Sequence, residues 1–350
     1  MAIDYAPSNI LVKMPNWLGD LVMATPLLAD LKYKFPDAKI TVMCLSHLAP
    51  ILENDPHISD IYAYERPSGW IHRPQHCEII DTIRKGEYDL GILLTNSFST
   101  AWWFWRGHVK RRVGFKGNLR SLLLTDAVPV PRNKDKQHLV TTYKELLTPL
   151  DIQVSVTKPH LYISEEEAVA TQETLTKIVP LGLSQCKLIG INPGAAFGSA
   201  KCWFPERFAM LSERLLQDKD LCVLYFGDKS QLSLVEGICS KISSERVINM
   251  CGKTSLRELA AFMQHCQVVL TNDSGPMHMA AALQIPLVAL FGSTNDTTTG
   301  PYQWGEVIHK HVECSPCYKR VCPIDFRCMD RISVDEVYLA LQKYITGKSS

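Results

Sequence analysis

The sequence has no excess of charge of either sign: 37 Lys and Arg face 36 Asp and Glu, for a formal net charge of +1. That balance argues neither for nor against an anionic partner, since it hides local patches. Nucleic acid is not among the expected partners. Also missing is any apolar run approaching the length of a membrane span, and Asp4 and Pro7 precede a short strand-like run where a signal peptide would stand. A cytoplasmic protein is expected. Its 12 cysteines are therefore read as reduced thiols, most of them small core residues, with no disulfide framework. The dinucleotide fingerprint G-x-G-x-x-G is lacking too, because the loop after the first strand carries only Gly19.

What is present is an alternation of short apolar runs and amphipathic stretches. At 350 residues, with 46% apolar and 21% charged residues, the chain is long for one open α/β domain and comfortable for two. Asn9–Lys13 reads as a first strand, followed by a loop through Asp20 and an apolar helix. Further strands are expected at Lys39–Cys44, Ile58–Tyr64 and Leu90–Leu94. The pattern restarts after an acidic helix beginning at Ser164, a plausible interdomain connection, with strands at Lys187–Asn192, Leu221–Phe226 and Val247–Met250. The expected fold class is α/β, as two doubly wound, Rossmann-like domains.

Polar residues gather at the C-terminal ends of these runs, where such sheets place working groups. Asp20 sits at the first strand-to-helix turn. Asn192-Pro193-Gly194-Ala195-Ala196-Phe197-Gly198 is a small-residue loop that can lie close to phosphates, and Lys201 follows it as a candidate counter-charge. Asp228 ends the next strand, where a carboxylate can accept ribose hydroxyls. The stretch Val268–Asn295 reads as strand, polar loop, helix and strand. Ser274 or Asp273 can cap the helix, Gly275 permits close approach, and Pro276 suits the first turn, so its start can hold an anion. His278 in that turn is either a phosphate ligand or a packed core histidine.

Two segments remain open at this level. Ala101–Arg120 packs three tryptophans and two phenylalanines among basic residues. It reads either as a core helix followed by an exposed basic turn or as a surface for an anionic amphiphile or membrane interface. Cys314, Cys317, Cys322 and Cys328 have spacing compatible with a closed, structural thiolate zinc site, although the second pair is wider than the common ribbon. Reduced structural thiols are the competing reading.

NWLGDLVMATPLL, NPGAAFGSAKCWF and TNDSGPMHMAAALQIPLVALFGSTN, followed by CSPCYKRVCP, occur in the order and spacing that resemble the ADP-heptose:lipopolysaccharide heptosyltransferases. The resemblance spans the first strand to the cysteine-rich tail. It implies a GT-B glycosyltransferase that inverts the anomeric centre, needs no metal for chemistry, and uses ADP-heptose as donor and the lipopolysaccharide inner core as acceptor, with peripheral contact at the cytoplasmic face of the inner membrane. By this resemblance Asp20 is the general base and Lys201 steadies the leaving nucleotide. Asn192, Gly194, Ala196, Asp228, Asp273, Ser274, Gly275 and His278 would bind donor. Asn16, Trp17, Arg111, Arg112, Lys116 and Arg120 would bind acceptor. The implied organisation is an acceptor-binding domain over residues 1–163, a nucleotide-sugar domain over 164–330 and a C-terminal helix over 331–350 that packs back toward the first domain. Another nucleotide sugar, an epimerase substrate, or a non-catalytic nucleotide-sugar-binding role are the alternatives.

Overall fold

The computed structural model describes residues 5–69, 74–180 and 182–347. The chain divides into two compact units, Met1–Tyr162 and Ile163–Ser350. The first holds strands β1 (Asn9–Lys13), β2 (Lys39–Leu45), β3 (Asp60–Tyr64), β4 (Leu90–Leu93), β5 (Arg111–Phe115) and β6 (Asp126–Val128), with helices α1 (Leu18–Lys34), α2 (Pro74–Lys85), α3 (Phe98–Arg106) and α4 (Leu139–Glu145). The second holds β7 (Lys187–Asn192), β8 (Leu221–Tyr225), β9 (Val247–Asn249), β10 (Cys266–Asn272), β11 (Leu287–Phe291) and β12 (Glu306–His309). Its helices are α5 (Glu165–Ile178), α6 (Pro205–Leu215), α7 (Leu232–Cys239), α8 (Leu256–Gln264), α9 (Gly275–Ala282), α10 (Asp296–Thr299), α11 (Arg327–Asp330) and α12 (Val334–Ile345).

Each unit is built on one parallel six-stranded sheet. The orders are β3-β2-β1-β4-β5-β6 and β12-β11-β10-β7-β8-β9, the same doubly wound topology twice. Helices on both faces bury the central strands almost throughout, and β8 is a continuous apolar run, LCVLY, with every residue buried. In each sheet the winding reverses between two adjacent parallel strands, β1 and β4 in the first, β7 and β10 in the second. At that point the loops leave in opposite directions and open a crevice at the strands' C-terminal ends.

The ends of several elements follow local chemistry. Ser164 opens α5 through a reciprocal capping box with Glu167, and the same Glu167 carboxylate binds Arg257 of α8. The helix after the connection is thereby fastened into the second unit. The first unit ends at Tyr162, two residues before that cap, and residue 181 of the loop that follows α5 lies outside the described set.

Two expectations are corrected here. The C-terminal helix is part of the second unit: Val337, Ala340, Leu341 and Ile345, at helical spacing, are buried in one core with Ile189, Val268 and Val288. Full burial of a Val, Leu or Ile is worth about 1.5–3 kcal/mol, which is ample to hold a helix of this length to that sheet. Main-chain carbonyls around it are also claimed from within the unit, Ile332 O by Trp203 Nε1 at 3.1 Å and Ile345 O by Lys187 Nζ at 3.0 Å. The second correction concerns Ala101–Arg120, which is neither a single helix with a basic turn nor a continuous surface. It divides into the end of α3, strand β5 and a short 3-10 turn over Arg120–Leu123.

Candidate active site

The second unit concentrates polar groups where its winding reverses. Asn192 ends β7 and lies in register with Thr271 near the end of β10. Asn272, fully buried, clamps the loop between them: its Nδ2 donates to Pro193 O at 2.6 Å and its Oδ1 accepts from Trp203 N at 3.1 Å. Asn192 Nδ2 donates to Gly194 O at 3.1 Å and to Ser274 Oγ at 3.4 Å. Ser274 Oγ is also 3.0 Å from Thr271 Oγ1. These contacts turn the Ser274 hydroxyl away from the helix it precedes. Contrary to the capping expected of it, α9 begins with no side-chain hydrogen bond from Ser274, so the helix start keeps its partial positive charge uncapped. His278 is buried within that first turn.

Lys201 and Asp273 meet at this lip. Lys201 Nζ lies 2.5 Å from Asp273 Oδ2, with the two side chains 14% and 4% exposed. The same oxygen accepts from Thr294 Oγ1 at 2.5 Å. Asp273 therefore orients the Lys201 ammonium beside the start of the helix. Lys201 has two further donors for an incoming anion. Phe197 lies between two cations, with Lys201 Nζ 5.0 Å and Arg320 Cζ 5.5 Å from its ring centre. Charges at Lys201, Arg320 and Asp273 sum to +1, and the uncapped helix adds to it.

The loop from Gly194 to Gly198 needs its glycines. A Cβ on Gly194 would stand 2.1 Å from Gln231 Cδ, and one on Gly198, whose φ is +152°, would stand 2.3 Å from Arg320 O. Asp228 begins a short 3-10 turn, and its Oδ1 accepts from Ser230 N at 2.7 Å and Ser230 Oγ at 2.5 Å. It lies at the end of β8, the strand beside β7, with one carboxylate oxygen committed to that turn.

The four cysteines whose spacing allows a zinc site do not gather three sulfurs within ligating distance, although Cys314 and Cys322 lie near enough to act on the Cys328 thiol. Cys314 is exposed, Cys328 is buried in the core, and Cys322 Sγ accepts from Phe326 N at 3.3 Å. Among the described residues, the only group of three or more metal-ligating side chains with atoms within 4.8 Å of one another contains no cysteine. Burial raises the Cys328 thiol above its usual range. The loop that carries these residues instead walls the site. Arg320 O accepts from Ala200 N at 3.0 Å, and Tyr318 N donates to Ser293 O at 2.8 Å, so it docks on the loops after both β7 and β11. Arg320, Thr294 and Gln231 escaped the sequence reading, and Phe197 entered it only as part of the small-residue loop. Only Arg320, inside a dense Cys-Lys-Arg loop, had a local signal to offer.

In the first unit, Asp20 is the third residue of α1, where a carboxylate is favoured by the helix dipole. Burial, aided by the nearby Asp20 charge, holds the Tyr143 phenol well above its usual range. The loop before α1 is set by Lys13, whose fully buried ammonium donates to Met14 O at 2.6 Å and Asn16 Oδ1 at 3.1 Å and lies 5.1 Å from the Tyr64 ring centre. Trp17 is exposed.

The basic residues assigned to acceptor mostly serve the fold. Arg111 binds Asp126 through two bonds at 3.0 and 2.8 Å and also donates to Pro149 O at 2.6 Å. Arg112 donates to Leu123 O, Val109 O and Lys110 O. Arg120 is fully buried and donates to Phe115 O, Thr95 O and Asn96 Oδ1, while burial lowers its guanidinium to about 10. A turn whose carbonyls face the interior needs donors, and these three arginines supply them. Lys116 is the exposed member of the set. On the other flank of the segment, Trp103 and Phe104 are core, while Trp102, Trp105 and Arg106 line a surface hollow of about 530 Å³ with Cys77, Ile80, Asp81 and Arg84.

Two doubly wound units, each with polar groups gathered at its switch point, give the α/β architecture of GT-B glycosyltransferases. The sequence pattern of glycosyltransferase family 9 (heptosyltransferase) matches residues 77–326. The chain is 32% identical over 301 residues to lipooligosaccharide heptosyltransferase 2 of Haemophilus influenzae, covering 84% of this chain and 86% of that one. It is 29% identical over 302 residues to lipopolysaccharide heptosyltransferase 2 of Escherichia coli, covering 84% and 85%. Among solved structures it is similar to E. coli ADP-heptose LPS heptosyltransferase II, with a TM-score of 0.81, 27% identity and coverage of 98% and 100%. A family 9 glycosyltransferase from Veillonella parvula gives a TM-score of 0.85, 26% identity and coverage of 99% of each chain. The protein belongs to glycosyltransferase family 9, the heptosyltransferases, and is an enzyme. The family match begins after α1, the helix that carries Asp20.

Proposed function

We propose that this enzyme transfers a heptosyl group from ADP-heptose to a Kdo or heptose residue of the lipopolysaccharide inner core, with inversion and without a metal in the chemical step. The reading rests on one observation above the others: Lys201 and the uncapped start of α9 meet at Asp273, giving a pyrophosphate two kinds of positive partner. As the bond from the anomeric carbon to the ADP oxygen breaks, negative charge grows on the leaving phosphate. Lys201 and the helix N–H groups stabilise it there. The acceptor hydroxyl oxygen forms the new bond to the anomeric carbon on the opposite face, and its proton passes to Asp20. Asn192, Gly194 and Ala196 line the phosphate loop, Asp228 takes ribose hydroxyls through its outer oxygen, and Asn16, Trp17 and Lys116 meet the acceptor.

No helix among the described residues is long and apolar enough to cross a membrane. The hollow beside Trp102, Trp105 and Arg106 supports peripheral contact with the membrane that carries the acceptor, since tryptophan and arginine are favoured at such an interface. The test is ADP release from ADP-heptose in the presence of a truncated inner-core acceptor, alongside thermal shifts with ADP, UDP, GDP and CMP. Asp20→Asn is expected to abolish transfer while ADP still raises the melting temperature. Turnover retained in that variant removes Asp20 as the base, and stabilisation by UDP or GDP in place of ADP redirects the donor.

A further inference from the structure

We propose that Asp296, His309 and His311 form a binding site for a divalent transition-metal ion of the zinc class, with a structural role beside the donor loops. Their ligand atoms lie within 4.8 Å of one another, and they come from three segments: the first residue of α10, the last of β12, and the turn beyond it. His309 Nδ1 is 3.0 Å from Asp296 Oδ1, and His311 Nε2 is 3.9 Å from Asp296 Oδ2. A tetrahedral zinc with bonds of about 2.1 Å holds its ligand atoms roughly 3.4 Å apart. The two observed separations bracket that value, so small side-chain shifts complete the geometry.

The hydrogen bonds point the same way. Ser315 Oγ donates to Gly292 O, which uses its single proton, so at 2.9 Å from His309 Nε2 it can only accept. His309 Nε2 is thus the donor to Ser315, and Nδ1 faces the Asp296 carboxylate at 3.0 Å. The His311 ring lies beside that of His309, tilted by 38° with centroids 3.9 Å apart, on a left-handed backbone at φ +41°. A metal ion joins both imidazoles and the carboxylate at once, and the hydrogen bond to Ser315 is the outer contact that fixes a ligating histidine's tautomer. Three protein ligands leave a position for water.

The site sits two residues beyond Thr294, the partner of Asp273, and Ser315 belongs to the loop that walls the donor seat. A bound ion would fasten that wall without touching Lys201, Asp273 or Asp20. The test uses the full chain, free of any affinity tag and treated with chelator, titrated with Zn²⁺ in competition with a chromophoric chelator. One equivalent is expected to bind, with a rise in melting temperature by mass action. His311→Ala is expected to weaken binding at least tenfold without altering the far-ultraviolet circular dichroism, because His311 is 69% exposed. Asp296→Asn is expected to do the same, while the Cys314→Ser/Cys317→Ser double variant binds as the wild type. Failure of the wild type to compete for Zn²⁺, binding that survives His311→Ala, or binding lost in the cysteine variant each overturns the site.

Discussion

Replacing Lys201 by methionine separates two jobs held by one side chain. The ammonium lies 2.5 Å from a carboxylate that is 4% exposed, so its loss leaves Asp273 charged and nearly dry, with the Thr294 hydroxyl as a remaining donor. Removing one member of a buried pair costs about 3–5 kcal/mol. Because Thr294 stays and Lys201 itself is 14% exposed, the cost falls below that range, to about 2–3 kcal/mol. For a unit of this size that corresponds to a fall of about 5–10 °C in its unfolding transition. Adding Asp273→Asn removes the stranded charge, and the double variant should recover most of the loss, a coupling of about 2 kcal/mol. Activity should not recover with it. Without a cation facing the leaving phosphate, kcat is expected to fall about 10²–10³-fold in both variants. Differential scanning calorimetry and an ADP-release assay on the two singles and the double measure both effects. Additive stability losses would refute the pairing, and a double variant with wild-type turnover would refute the catalytic role.

Lys13 predicts a pH dependence of stability. Burial lowers its ammonium from 10.5 to about 7, with Cys44 pulling the other way and Arg66 reinforcing the fall. Between these values the unfolded chain holds a proton that the folded one lacks, so this contribution to stability grows as pH rises from 7 to 10.5 and is lost as pH falls through 7. The full span is on the order of 5 kcal/mol, offset in Lys13→Met by two lost hydrogen bonds of about 1 kcal/mol each. Urea unfolding should show the variant gaining on the wild type at pH 6 and losing that gain by pH 9; parallel profiles would contradict a desolvated lysine. Gly198→Ala drives a methyl into Arg320 O and strains a backbone at φ +152°, costing about 1–3 kcal/mol. It should raise the KM for donor more than it lowers kcat, since it displaces the wall and not Lys201, and an unchanged donor KM would detach that wall from the site.

Much of this arrangement was legible along the chain because it depends on local pattern. Buried parallel strands announce themselves as short apolar runs, so β1, β7 and β8 fall where the runs lie. The small-residue loop and Gly275-Pro276 mark a helix start suited to anions. The basic residues are less legible for a related reason. Side-chain type says that Arg111, Arg112 and Arg120 carry charge, but their partners are the Asp126 carboxylate, Asn96 Oδ1 and inward-facing carbonyls, and no periodicity reveals which carbonyls a turn leaves unpaired. The cysteines left two readings open for the same reason. Spacing permits a cage, and only the path of the loop decides whether the sulfurs face one another.

What the sequence determined by itself is the succession of strands and helices, the doubly wound class, and the positions along the chain where polar residues end apolar runs. These follow from the residue-by-residue match between side-chain pattern and backbone period. What the tertiary structure decided is partnership. Lys201 and Asp273 are 72 positions apart, and His309 finds Ser315 and Asp296 only because β12 joins the edge of the second sheet. Burial and dielectric belong to the packed molecule, so whether a charged side chain serves chemistry, holds a turn or awaits an ion is settled by the neighbours the fold brings to it.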